Sequence, residues 1–136
     1  MKVKIKTSDN KLLNYETAAC AFDFKCIEDL TFAPEFKIVE TVVIQVPEGY
    51  TLQLAPRSST YKKHGLIQVN IGIIDQDYCG NGDTIKFPYL NITDKESFLE
   101  AGTRIGQGMF VKIEKPEFEL VDSMEKEDRG FSTGVK

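Results

Sequence analysis

The chain has 136 residues, 41% apolar and 28% charged, with a formal net charge of −4: enough for one domain with its own hydrophobic core, and too few for two. That charge, with a pI near 5.1, excludes a basic face able to track a nucleic-acid backbone, so no nucleic-acid partner is expected and any nucleotide ligand is a small one. The longest apolar stretches, such as Ile71 to Ile74, are too short to cross a bilayer, which argues against a membrane partner.

The N-terminal Met1-Lys2-Val3-Lys4-Ile5-Lys6 has no signal-peptide core. Its alternation puts Val3 and Ile5 on one side, the pattern of a half-buried strand. Cys20, Cys26 and Cys79 show no metal-ligand spacing. An odd count without a secretion signal points to free thiols and a cytoplasmic location.

Thr41 to Val46 is rich in β-branched residues and stops at Pro47-Glu48-Gly49, a turn signal. Tyr50 to Leu54 alternates again. Ser58 to His64 predicts the one short helix, with serine as N-cap and Gly65 as stop. Leu66 to Ile74 is a long β-rich run, and Asn81-Gly82-Asp83 turns the chain into Thr84 to Phe87. Phe98-Leu99, Arg104 to Ile113 and Phe118 to Val121 continue the strands. No internal repeat is present. The expectation is an all-β jelly-roll-like barrel or sandwich over residues 1–122 with at most one short helix. Residues 123–136, charged and then Gly130-Phe131-Ser132-Thr133-Gly134, read as a flexible C-terminal arm.

The chemistry concentrates in Gly72-Ile73-Ile74-Asp75-Gln76-Asp77-Tyr78-Cys79-Gly80. If the strand persists, Asp75 and Asp77 lie on the same side. Taken alone, the stretch reads more readily as an acid-rich turn that solvates a hairpin end.

Four further segments, in order, change that weighing. Ala19-Cys20-Ala21-Phe22-Asp23-Phe24, Ala55-Pro56-Arg57-Ser58-Ser59, Gly102-Thr103-Arg104-Ile105-Gly106-Gln107 and Arg129-Gly130-Phe131-Ser132-Thr133-Gly134 flank it. Together the five resemble the motifs of the trimeric dUTPase family, which span nearly the whole chain. The first is degenerate, with Ala21 and Phe22 where the family has glycine and tyrosine. The last is shorter than the family pattern between Arg129 and Phe131 and lacks the glycine that follows the phenylalanine.

The resemblance implies a homotrimer with shared active sites. Its reaction splits dUTP into dUMP and pyrophosphate, keeping uracil out of DNA and supplying dUMP for thymidylate synthesis. Asp75 is then the general base, acting on a water in line with the α-phosphorus. Tyr78 packs beneath the deoxyribose and excludes a 2′-hydroxyl. Arg57, Ser58 and Ser59 hold phosphate oxygens, and Gln107 bonds near the α-phosphate. Backbone groups around Gly72 and Ile74, in a hairpin from Leu66 to Tyr78, read uracil, with an amide contact from Asn70. Arg129, Phe131, Ser132 and Thr133 close the arm over the nucleotide, Phe131 stacking on the base. The implied cofactor is Mg²⁺ on the triphosphate, with Asp23 assisting through metal-bound waters.

Each position also has a plainer reading: Arg57 in a surface ion pair, Gln107 facing solvent, Arg104 in a structural ion pair and His64 as a surface residue at a helix end. The dCTP deaminases share the fold, but their chemistry needs a glutamate where this chain has Thr84-Ile85-Lys86. A jelly-roll module that kept the pocket and lost catalysis is the other alternative, favoured only by the short arm.

Overall fold

The structure, a computed structural model, describes residues 1–7, the backbone of 13–14, and residues 18–130. Among these are twelve strands and one helix, and every strand pairing is antiparallel. One sheet has five strands in the order β2 (Leu13–Asn14), β3 (Phe22–Lys25), β12 (Arg104–Lys112), β7 (Tyr50–Ala55), β9 (Gly72–Ile74). A second runs β5 (Phe36–Glu40), β10 (Lys86–Asn91), β8 (Leu66–Gln68). Two pairs complete the fold: β4 (Leu30–Phe32) with β11 (Ser97–Leu99), and β1 (Ile5–Lys6) with β6 (Val43–Ile44). The expected all-β architecture is present.

Alternation explains the layering. In β10, Phe87, Tyr89 and Asn91 point inward, and in β7 Leu52 and Leu54 do so. Aromatic rings join the two larger sheets: Phe24 of β3 meets Phe87 of β10 edge-on at 5.2 Å between centroids, and Phe87 stacks on Tyr89. Such pairs add specific geometry to apolar burial. A register shift in the β3–β12 ladder between Arg104 and Gly106 is a β-bulge. There the Ile105 carbonyl accepts the buried Tyr89 hydroxyl, so the phenol has a partner in an apolar layer. Burial pushes that phenol well above its ordinary range, which keeps the donor protonated.

Several local expectations are corrected. Leu66 to Ile74 is not one strand: β8 and β9 belong to different sheets and do not pair as a hairpin. The chain crosses between layers at Val69 to Ile71. Gln68 ties this crossover, its Nε2 donating to the carbonyls of Leu54 (3.2 Å) and Asn70 (2.7 Å). Ile5 is 41% exposed, so the first strand is shorter and less buried than its alternation suggested, although Val3 packs on the core. Thr41 to Ile44 are buried without alternation, because both faces are covered. Phe118 to Val121 forms no strand; residues 114–130 are all exposed, and among the described residues no strand pairs with them.

The helix α1 (Thr60–His64) starts later than expected, and Ser59 makes no side-chain cap. Thr60 does the tying instead, its buried hydroxyl accepting the Arg57 N–H at 3.0 Å. Gly65 ends the helix at φ +65°, its N–H returning to the Tyr61 carbonyl. Partial burial and neighbouring Lys63 hold His64 below the usual histidine range. All three cysteines are unpaired, and burial raises the Cys26 thiol to about 11. Among the described residues no helix is long and apolar enough to cross a membrane.

Gly106 faces the ring of Phe87 so closely that an added Cβ would lie 2.3 Å from a ring carbon. Gly106→Ala should therefore destabilise the fold by about 1–3 kcal/mol, the usual cost of overpacking a core. Thermal unfolding at fixed protein concentration checks this; an unchanged Tm would mean the layers separate freely.

Candidate functional site

Strand β12 gathers three of the predicted segments. Gln107 pairs with Asp23 of β3 on one side and with Ala55 of β7 on the other. The end of β7 then delivers Pro56, Arg57, Ser58 and Ser59 to the same end of the sheet. Gln107 Nε2 donates to the Pro56 carbonyl at 3.0 Å, fixing where β7 leaves the sheet.

Asp23 is the buried charge of this cluster. Its Oδ1 accepts from Arg57 Nε at 3.0 Å, and its Oδ2 lies 3.6 Å from Arg104 Nε. The Arg57 side chain is 28% exposed and that of Asp23 12%, so this pair is partly desolvated and geometrically defined. Arg57 Nη1 also reaches Ser59 Oγ at 3.4 Å, while Ser58 is exposed. One carboxylate holding two arginines leaves a net positive corner on an acidic protein, suited to a phosphate. The expected ion pair of Arg104 is present.

The acidic segment follows β9. Its strand ends at Ile74, and the Tyr78 N–H returns to the Asp75 carbonyl at 3.2 Å, so residues 75–78 turn. Asp75 and Asp77 are therefore exposed turn residues, not alternating strand positions. Gly72 is required by packing: an added Cβ would meet Leu54 Cβ at 2.6 Å. Tyr78 is half-buried; its hydroxyl donates to the Thr84 carbonyl and accepts from Lys86 Nζ, both at 2.9 Å. Lys86 also borders a shallow, mostly apolar concavity of about 490 Å³ walled by Phe36, Ile38, Val69, Ile71 and Ile73 among others.

These two clusters do not meet within one chain. The register Leu52↔Ile74 sets Asp75 beside Thr51 at the start of β7, and Thr51 Oγ1 bonds the Ile74 carbonyl. Arg57 lies beyond the other end of β7, roughly 20 Å away at about 3.3 Å per residue. The Arg57 end and the Asp75 end face different parts of the surface.

Of the remaining predicted residues, Arg129 is exposed, and Phe131, Ser132 and Thr133 lie outside the described residues. Among the described residues no group of three or more His, Cys, Asp or Glu side chains could hold a metal, and both Asp23 oxygens face arginines. This donor set fits a Mg²⁺ that arrives on phosphate oxygens with its waters, not one caged by protein. Sequence reasoning missed Thr60, Gln68 and Lys86 as organisers. Their roles depend on contacts across turns or sheets; only Gln68, a polar residue in a β-rich run, carried a visible signal.

Comparison with known proteins identifies the family. A family model described as dUTPase matches residues 9–135. The deoxyuridine 5'-triphosphate nucleotidohydrolase of Finegoldia magna is 38% identical, over 96% of each chain. The SPbeta prophage-derived enzyme of that name from Bacillus subtilis is 37% identical over 100% of each. Among solved structures, the Staphylococcus bacteriophage 80alpha dUTPase with dUPNHPP superposes with a TM-score of 0.79 at 21% identity, covering 94% of this chain and 92% of that one. That likeness shows the same fold. By family model and by full-length relatives, the chain belongs to the dUTPase family.

Proposed function

We propose that this chain hydrolyses dUTP to dUMP and pyrophosphate in sites built between copies of itself, limiting uracil in DNA and supplying dUMP for thymidylate synthesis. The observation that carries the reading is the division of one constellation between the two ends of β7. Asp75 and Tyr78 follow β9 at one end, whereas Arg57, Ser58, Ser59 and Gln107 lie at the other, where the β9 register also brings Asn70. A nucleotide touching both sets needs two chains, and the exposed segment 114–130 leading to Arg129, Phe131, Ser132 and Thr133 reaches from a third. A homotrimer satisfies this with closed symmetry. The exposed apolar residues Phe36, Ile38, Val69, Ile71 and Ile73 supply a surface for such association.

In the assembled site Asp75 accepts a proton from a water lying in line with the α-phosphorus. The water oxygen bonds to that phosphorus, the bond to the bridging oxygen breaks, and pyrophosphate leaves. Arg57, anchored to Asp23 through Nε, presents its outer edge to phosphate oxygens without losing order on binding. Gln107 and the Ser58-Ser59 turn hold the α-phosphate region. Asn70 to Ile74 read uracil through backbone groups, and the Tyr78 ring leaves no room for a 2′-hydroxyl. Mg²⁺, which the family uses, would supply charge neutralisation on the triphosphate, and Asp23, whose two oxygens face arginines, would reach it only through waters.

With dUTP, dCTP, dTTP and UTP as substrates, pyrophosphate release should be strong for dUTP alone. Ammonia release from dCTP would assign the chain to deamination instead. Asp75→Asn should lower kcat by about 10²- to 10⁴-fold, the span for losing a general base, with little change in dUTP affinity. A folded variant with parental kcat would remove Asp75 from that role.

Sharing is tested by co-expressing Asp75→Asn and Arg57→Ala chains. Each variant alone should be nearly inactive, whereas random mixed trimers should regain about a quarter of the parental sites. No recovery in verified mixed trimers would place Asp75 and Arg57 of one site on one chain.

Deleting residues 125–136 should leave the trimer intact and cut kcat/KM for dUTP by about tenfold or more, because the arm closes the site. A change within about threefold would make it a passive tail.

A further inference from the structure

Lys86 is not among the residues that the family resemblance assigned, yet it ties Tyr78 to Thr84. From β10 its Nζ donates to Tyr78 Oη at 2.9 Å, to Thr84 Oγ1 at 3.0 Å and to the Thr84 carbonyl at 3.2 Å. The Tyr78 hydroxyl in turn donates to that same Thr84 carbonyl. The ammonium also lies 5.6 Å from the centroid of the Tyr78 ring, within reach of a cation–π attraction. Lys86 lines the concavity shared by Asn70, Gly72 and Ile74.

A surface role in the β5–β10 ladder would be the ordinary alternative. Lys86 is the register partner of Glu40, with Nζ 3.6 Å from its carboxylate. Yet the Glu40 side chain is 62% exposed, where such a pair contributes little. The ammonium has three hydrogens, and Tyr78 and Thr84 supply three acceptors. Lysine suits this place because it only donates: the phenol must then give its own proton to Thr84, which fixes the hydroxyl's direction as well as its position.

We infer that Lys86 is a positioning residue that sets the Tyr78 ring, and through it the selection of deoxyribose over ribose. The inference rests on the reading of Tyr78 as the sugar gate. A gate that excludes one oxygen atom works only if its ring holds its place, since a ring free to rock opens the space a hydroxyl needs. The Tyr78 contact also raises the Lys86 pKa, so the ammonium stays charged throughout the neutral range.

The test is steady-state hydrolysis of dUTP and UTP by the parent, Lys86→Met, Lys86→Arg, Tyr78→Phe and Glu40→Gln. Lys86→Met keeps an unbranched side chain as far as Cε and removes the donors. It should narrow the dUTP-over-UTP ratio of kcat/KM by about tenfold, mainly through faster use of UTP. Lys86→Arg should recover part of the ratio, and Tyr78→Phe should narrow it in the same sense. Combining Lys86→Met with Tyr78→Phe should add little to either alone. Glu40→Gln should leave the ratio unchanged.

A ratio within about twofold of the parent in folded Lys86→Met would overturn the inference, whatever happens to Tm. If Lys86→Met does not fold, an unchanged ratio in Tyr78→Phe overturns it equally. A parent that uses dUTP and UTP alike would instead defeat the sugar-gate reading itself, a result distinct from both.

Discussion

The site depends on β12 lying between β3 and β7. That placement sets Asp23, Gln107 and Ala55 in one row across the sheet, and the row determines where Arg57 emerges. Beneath it, Phe24, Phe87 and the absent side chain of Gly106 hold the two layers at a fixed spacing. The bulge at Ile105 lets the same strand serve both purposes, carrying the Arg104 charge outward and a carbonyl inward to Tyr89. Anion recognition at the edge is thus a consequence of aromatic packing in the middle.

The electrostatic design follows from the chain's overall negative charge. Free arginines on such a surface would adapt to whichever carboxylate is near. Here Asp23 is largely withdrawn from solvent and fixes two guanidinium groups at once. Removing Asp23 leaves two neighbouring guanidinium groups without their complement, whereas removing either arginine leaves the carboxylate still paired. Order, rather than raw attraction, is what the arrangement supplies.

The fold class was legible because period-two alternation survives wherever a strand has one wet face, as in β7 and β10. It failed where that condition fails. From Ile67 to Ile73 apolar residues alternate with Gln68, Asn70 and Gly72, and that strand pattern runs unbroken through the point where the chain leaves one sheet for the other. Phe118 to Val121 has strand composition but no strand partner among the described residues. Asp75, Arg57 and Gln107 could be picked out by motif, since each sits in a short local signature. Thr60 and Lys86 could not, because their partners are set by turns and by contacts between strands, and Gln68 showed only as a polar residue in a β-rich run. The short helix shows the same limit: two serines looked like its cap, while a buried threonine performs the tying.

Strand β9 closes one edge of the five-stranded sheet and is only three residues long. Its surroundings display Ile71 and Ile73, 75% and 62% exposed. A flat apolar border of this kind invites strand-to-strand aggregation when left open. Its brevity and the crossover at Val69 to Ile71 blunt that hazard in a newly made chain. Burial against a sister copy would remove it. Solubility and the completion of a nucleotide site then fall on the same few residues, so a substitution there that weakens assembly would be seen first as a chain that precipitates.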